Sequence, residues 1–218
     1  MSKTNTRFYR HYKNKPYKLI GTVRHSETLE ELAYYESLYD NQHGRMWVRP
    51  KDMFFEDVVV DGVKRPRFEK IEFKYVELSS LSPKEMREVA GIYEIVFQQV
   101  IDQKKVDAVI AAHTNMNYLL AYDGEKLVGF KMGFARDNER FYSWSGGVLP
   151  EYQNLGVASS LMNLQHEWCK KKGFKVIETR TLNKFVDMLR LNLKFGFQIT
   201  GTISSSGDKL KIIMEKLV

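Results

Sequence analysis

The stretch 141–172, FYSWSGGVLPEYQNLGVASSLMNLQHEWCKKK, holds the residues of this chain whose types and spacing could do chemistry. It reads as a strand, a short loop and an amphipathic helix. The loop sets Gln153, Gly156 and Ala158 at the helix start, with Asn154, Leu155 and Val157 between them. The first N–H groups of a helix have no intrahelical partner, and the aligned peptide dipoles add partial positive charge there. Small residues let an anion come close to those donors. The chemistry on offer is capture of a phosphate or pyrophosphate. A lone glycine at a strand-to-helix turn would mean only a tight turn, so the elements around it matter.

The helix follows from periodicity. Val157, Leu161, Leu164 and Trp168 recur at helical spacing, and Ala158, Met162 and Cys169 widen the stripe. Lys170 to Lys172 and then Gly173 supply its end signals. Cys169 lies on the apolar stripe and reads as core filler, not as a nucleophile.

Val148-x-Pro150-x-x-Gln153-x-x-Gly156-x-Ala158, followed after a second helix by Phe195-Gly196-Phe197, resembles the GNAT superfamily of N-acetyltransferases over about residues 70–218. The resemblance implies a mixed central sheet with flanking helices and acetyl-CoA as cosubstrate, with no metal. It implies direct attack by a primary amine of a small molecule or peptide in a ternary complex. It also implies that the strand ending at Val148 splays from the strand at 175–180, that Val148 lines the thioester, and that residues 153–158 hold the pyrophosphate. Asn183 is a second coenzyme candidate by the same resemblance, and equally a turn former.

The reaction has its own demands. A lysine-like amine, with a pKa near 10.4, is neutral in about one molecule per thousand near pH 7.4, a deficit of ~4 kcal/mol. The oxyanion needs a fixed donor, and the departing thiolate a proton or a hydrogen bond. Relatives place a tyrosine four residues before Gly196 as general acid, where this chain has Asn192. An amide can donate a hydrogen bond but not a proton. Relatives carry a glutamate six residues before the motif valine, where this chain has Tyr142, a weak base. Glu178 on the next strand is the alternative base, as is a water chain to Glu72 or His113; Glu178 is also read as a simple pairing acid.

At 218 residues the chain can bury a core without staples, and its 43% hydrophobic content is that of a globular protein. One cysteine excludes an intrachain disulfide, which fits a reducing, cytoplasmic setting. No apolar run reaches the ~18 residues of a membrane span. The net charge is +7, and residues 1–26 alone hold seven cations and no acid. Such an arm could meet nucleic acid, but a solvated strand face is the favoured reading.

Residues 1–69 have a different texture. They resemble a small bacterial domain of uncharacterised function, on His11-Tyr12-Lys13, His25-Ser26-Glu27-Thr28, Trp47-Val48-Arg49-Pro50 and Met53-Phe54. Expected are strands at 17–23, 46–50, 54–60 and 63–68, and a helix at 29–39 with Thr28 and Glu31 as a capping box. The expected form is a β-rich, barrel-like domain with one helix as plug. His11 and His25 read as packing or turn residues. Tyr12, Tyr34, Tyr35 and Trp47 read as aromatic core in preference to a base-stacking surface.

Residues 70–218 should run strand 72–78, helix 83–102, strands 117–122, 126–135 and 140–149, the phosphate helix, strand 175–180, helix 184–194, and strands 197–203 and 209–217. The fold class is α/β. The leading function is acetyl-CoA-dependent N-acetyl transfer. Its rivals are a non-catalytic acyl-CoA-binding regulatory module and a transferase delivered by a nucleic-acid-binding N-terminal domain. Neither the acceptor nor the oligomeric state, a homodimer included, can be read from the sequence.

Overall fold

The structure is a computed structural model that describes residues 7–113, 115–205 and 209–218. The turn expected at 206–208 lies outside the described residues. The chain divides into two compact units, Met1–Phe73 and Lys74–Val218.

In the first unit, β1 (Phe8–His11), β2 (Lys15–Arg24), β3 (Glu31–Ser37), β4 (Met46–Pro50) and β7 (Phe68–Lys70) form one sheet in the order β4-β3-β2-β1-β7. β5 (Asp57–Val60) and β6 (Val63–Pro66) make a separate hairpin across the expected Asp61-Gly62 turn. The sheet is curled, not closed: no ladder joins β4 to β7 among the described residues, yet the Arg49 guanidinium of β4 lies 5.8 Å from the Phe68 ring of β7.

The helix expected at 29–39 is instead β3. Ala33, Tyr35 and Ser37 are buried while their neighbours are not, a period of two that tertiary packing selects over the helical spacing. The capping box does not form; Glu31 pairs with Lys51 at 2.6 Å. The plug is α1 (Lys51–Phe55), whose Phe54 stacks 4.1 Å from Phe68 and is fully buried. His25 is a turn residue, its Nδ1 accepting from Glu27 and Thr28 N–H at 3.3 Å.

In the second unit, β8 (Phe73–Leu78), β9 (Asn117–Asp123), β10 (Lys126–Ala135), β11 (Arg140–Val148), β12 (Val176–Leu182), β13 (Gln198–Ser205) and β14 (Lys209–Leu217) form a mixed sheet in the order β13-β14-β12-β11-β10-β9-β8. α2 (Pro83–Phe97) opens with a capping box in which Ser82 and Glu85 exchange bonds at 3.3 and 2.7 Å. It stops at Gln98, which takes the left-handed conformation, short of the expected 102. α3 (Gln103–Ala112), capped by Asp102, is a helix the sequence reading did not separate. α4 (Val157–Lys172) ends at Gly173, where Phe174 N–H returns to Cys169 O at 3.1 Å. α5 is Val186–Lys194.

α4 covers one face of the sheet. Met162, Trp168 and Cys169 pack with Phe141, Phe174, Ile177, Phe197 and Met214. Polar groups are buried there too. Gln165 donates to Asn117 at 3.4 Å, and Lys216 Nζ meets His166 Nδ1 at 3.0 Å. Burial pushes the His166 imidazole down to about 3, with Lys216 and Lys131 adding to it; burial likewise pushes Lys131 down to about 8.

These shifts set a pH dependence. The unfolded chain protonates His166 below about pH 6.5, while the folded chain resists until about pH 3. The unfolded state therefore binds more protons in that window, and stability falls as pH drops through it. Urea midpoints should be lower at pH 5 than at pH 7.5, and His166→Gln should shrink the difference. An unchanged difference would remove His166 as a cause.

Candidate active site

β11 and β12 run parallel and pair from Arg140/Val176 to Ser143/Thr179. The pairing stops there, although β11 continues to Val148 and β12 to Leu182. Each keeps its outer partner: β11 stays paired with β10 to Val148, and β12 with β14 to Leu182. The result is a wedge inside the sheet, with the backbone of 144–148 on one side and 180–182 on the other. This is the expected splay. Buried backbone groups without partners are costly, so a slot of this kind suits a ligand that can pair with them.

The helix turn lies at the end of the same strand. A short 3-10 turn, Pro150–Tyr152, leads from Val148 into the loop. The Gln153 side chain donates to Val148 O at 3.3 Å, which ties the loop to the strand end. Asn154 has φ 62° and Gly156 φ 78°. The first bond from helix to loop is Ser160 N–H to Gly156 O at 2.9 Å, so the N–H groups of Gly156 to Ser159 open the helix without intrahelical partners. Leu155 and Val157 point into the core, at 1% exposure each, and anchor the turn. The structure therefore brings Val148, Gln153, Asn154, Leu155, Gly156, Val157 and Ala158 together around one turn at the mouth of the wedge.

The other candidates are distributed differently. Tyr142 and Glu178 are register partners in the paired part of β11 and β12. Burial raises the Tyr142 phenol, so near neutral pH it keeps its proton. Arg180 and Arg136 lie over its ring at 5.7 and 5.9 Å. Glu178 is held by Arg136 and, at 3.1 Å, by Arg140, which also reaches Glu215 at 3.2 Å. Asn192 is 2% exposed, and its amide donates to Met214 Sδ at 3.7 Å. Asn183 is exposed after β12, and its N–H extends the ladder to Leu210 O at 3.2 Å. Glu72 belongs to the first unit and pairs with Lys70 at 2.6 Å. His113 stacks 3.8 Å from Phe134 with its Nδ1 2.9 Å from Val109 O.

Sequence reasoning missed the walls on the face opposite α4. Phe134 packs against Tyr142 and Trp144, and Phe97 of α2 meets Phe185 at 5.5 Å. The aromatic residues were visible in the sequence; these contacts between them were not. A cavity of about 570 Å³ lies elsewhere, between Glu77, His113, Trp168 and Lys172. It adjoins the C-terminal end of α4, and a 16-residue helix spans about 24 Å, so it is separate from the turn at Gly156.

No curated protein matches the chain by sequence. Solved structures match the second unit's fold. Ard1 from Thermoplasma volcanium superposes with a TM-score of 0.58 at 18% identity, over 67% of this chain and 97% of that one. A GNAT family acetyltransferase from Elizabethkingia anophelis with acetyl-CoA bound gives 0.52 at 17%, over 67% and 98%. Arabidopsis thaliana Naa50 in complex with a bisubstrate analogue, CoA-Ac-MVNAL, gives 0.55 at 22%, over 65% and 97%. Residues 7–70 match a family described as a protein of unknown function, DUF1653. Residues 85–197, just over half of the chain, match the acetyltransferase (GNAT) family. With the wedge, the helix turn and this match in agreement, the chain belongs to the GNAT acetyltransferase family and carries a DUF1653 domain ahead of it.

Proposed function

We propose that the chain is an acetyl-CoA-dependent N-acetyltransferase acting on a primary amine by direct attack in a ternary complex. We place the reaction in residues 70–218 and give residues 1–69 an accessory role. The observation that carries this reading is the coincidence of two features on one strand: β11 parts from β12 after Ser143/Thr179, and the α4 turn opens at its end. The residues fit the coenzyme. The N–H groups of Gly156, Val157 and Ala158, in a turn shaped by Gln153, Asn154 and Leu155, would hold the pyrophosphate. The backbone up to Val148 would pair with the pantetheine amides, as an added strand does. Asn183 is the further coenzyme contact of this reading. When bound, the coenzyme supplies the acetyl group as an activated thioester.

This chain's residues then exclude water and steady charge. Trp144, Phe134 and Phe97 wall the acceptor side. Tyr142, protonated, is a donor on that side, and both Glu178 oxygens are engaged by guanidinium groups. An acceptor amine therefore sheds its proton to solvent or arrives neutral. Asn192, whose weak bond is to Met214, would be the donor toward the coenzyme sulfur. If so, Asn192→Ala should lower kcat by about 2–10-fold, the worth of one hydrogen bond, and leave the Kd for coenzyme A unchanged. Unchanged turnover on a good acceptor would take Asn192 out of the mechanism.

A second reading, a non-catalytic acyl-CoA-binding module, is favoured by one observation: the Asn192 donor is spent on a core sulfur. A panel of small-molecule and peptide amines with acetyl-CoA, read by release of free thiol, separates the two. Coenzyme binding by calorimetry with no thiol release across the panel would favour the module.

A further inference from the structure

The curled sheet of the first unit is closed at one end only. Strand register puts His11, Lys15, Tyr17, Tyr35, Trp47, Arg49 and Phe68 on its inner face. Phe54 closes one end of that face against Tyr9, Tyr35 and Phe68. At the other end His11, Tyr12, Tyr17 and Tyr39 are only half-buried. Tyr12 stacks on His11 at 4.2 Å, and the Tyr17 and Tyr39 hydroxyls meet at 2.6 Å.

Several cations of this unit are paired and three at this end are not. Arg45, Lys51, Lys64, Arg67 and Lys70 each have a carboxylate partner. Lys13, Lys15 and Arg49 have none within ion-pair distance among the described residues. They lie over aromatic rings instead: Lys13 over Tyr12 at 5.8 Å, Lys15 over Tyr39 at 5.1 Å, and Arg49 over Phe68. Arg49 spends Nε on Tyr35 Oη at 3.4 Å. His11 Nδ1 accepts from Lys13 N–H at 3.3 Å, which leaves the proton of the neutral ring on its other nitrogen. Such a surface repels cationic ligands despite its aromatic rings. Its charges are also spread along a hairpin and an edge strand, not gathered around one point.

We propose that this open end binds single-stranded nucleic acid, with Tyr12 and Tyr39 stacking bases and Lys13, Lys15 and Arg49 meeting phosphates. Half-exposed rings beside cations without carboxylate partners suit a strand with flat bases and regularly spaced charges. The proposal is independent of the acetyl-transfer reading.

The test uses the full chain and a fluorescein-labelled twelve-nucleotide oligouridine, followed by anisotropy with saturating coenzyme A to block the α4 turn. Binding should weaken roughly 20-fold between 50 and 200 mM salt, as three phosphate contacts to a single strand require. Lys13→Gln with Lys15→Gln should weaken binding and flatten the salt dependence to about threefold. Tyr12→Leu should weaken binding about tenfold at unchanged salt dependence. All three positions are at the surface, and matching thermal melts will show that the variants are folded. The proposal is overturned by no anisotropy change at 100 μM protein, by folded variants that bind like the parent, by equal affinity for a duplex, or by full displacement with millimolar inorganic phosphate.

Discussion

Gly156→Glu should abolish coenzyme A binding, with a loss of at least 100-fold in Kd by calorimetry. Three effects combine at this one atom. On the proposed reading the new carboxylate would stand where the pyrophosphate binds, and like charges forced together cost several kcal/mol. The carboxylate also competes for the open N–H groups of Val157 to Ser159. In addition, Gly156 has φ 78°, a left-handed conformation that side chains other than Asn and Asp rarely take. Gly156→Asn separates these effects, because it tolerates that backbone and adds no charge; its loss should stay below about tenfold. If the Glu variant is folded and binds as tightly as the parent, the pyrophosphate is held elsewhere.

Gly133→Ala should be the most destabilising single methyl group in the second unit. A Cβ there would lie 2.4 Å from Tyr142 O and 2.5 Å from the Phe141 ring. Neither neighbour can yield, since one is backbone in a ladder and the other is a ring with 0% exposure. Overpacking typically costs about 1–3 kcal/mol, and more where the neighbours cannot shift, so the urea midpoint should fall well below the parent's or the protein should fail to fold. Gly147→Ala is the internal comparison. Its Cβ would meet Phe130 and the half-buried Val96 side chain at 3.3 and 3.4 Å, contacts that a shift of a few tenths of an ångström relieves. Equal stability of the two variants would mean that the strand around Gly133 relaxes freely.

How far the sequence revealed this molecule depended on how local each signal was. α4 could be read because its apolar stripe and Gly173 are both written within twenty residues. The start of α2 could be read from Ser82, Pro83 and Glu85, but not its end, since Gln98 is an unmarked residue for a left-handed turn. Residues 29–39 satisfy both a helical and an alternating pattern, and only packing against Phe54 and Phe68 decides for the strand. The same holds at the site. The turn at Gly156 is a contiguous motif. Glu178, by contrast, is fixed by arginines 42 and 38 residues away, and Asn192 by a methionine 22 residues away. Neither partnership leaves a mark in local spacing.

A bulge in the β10–β11 ladder shifts the phase of β11. Met132 faces Ser145 while Gly133 faces Ser143, so Trp144 is an extra residue with no partner. Before it, odd-numbered Phe141 lies under α4 and even-numbered Tyr142 on the other side. After it the parity is reversed. Even-numbered Val148 sits beside Val157, and a side chain at odd-numbered Gly147 would face Val96 of α2. A strand of unbroken alternation has one choice of inside and outside. This strand makes the choice twice, once to seat a large ring in the core and once to bring a small-residue edge to the opening, and the single unmatched tryptophan is where the count resets.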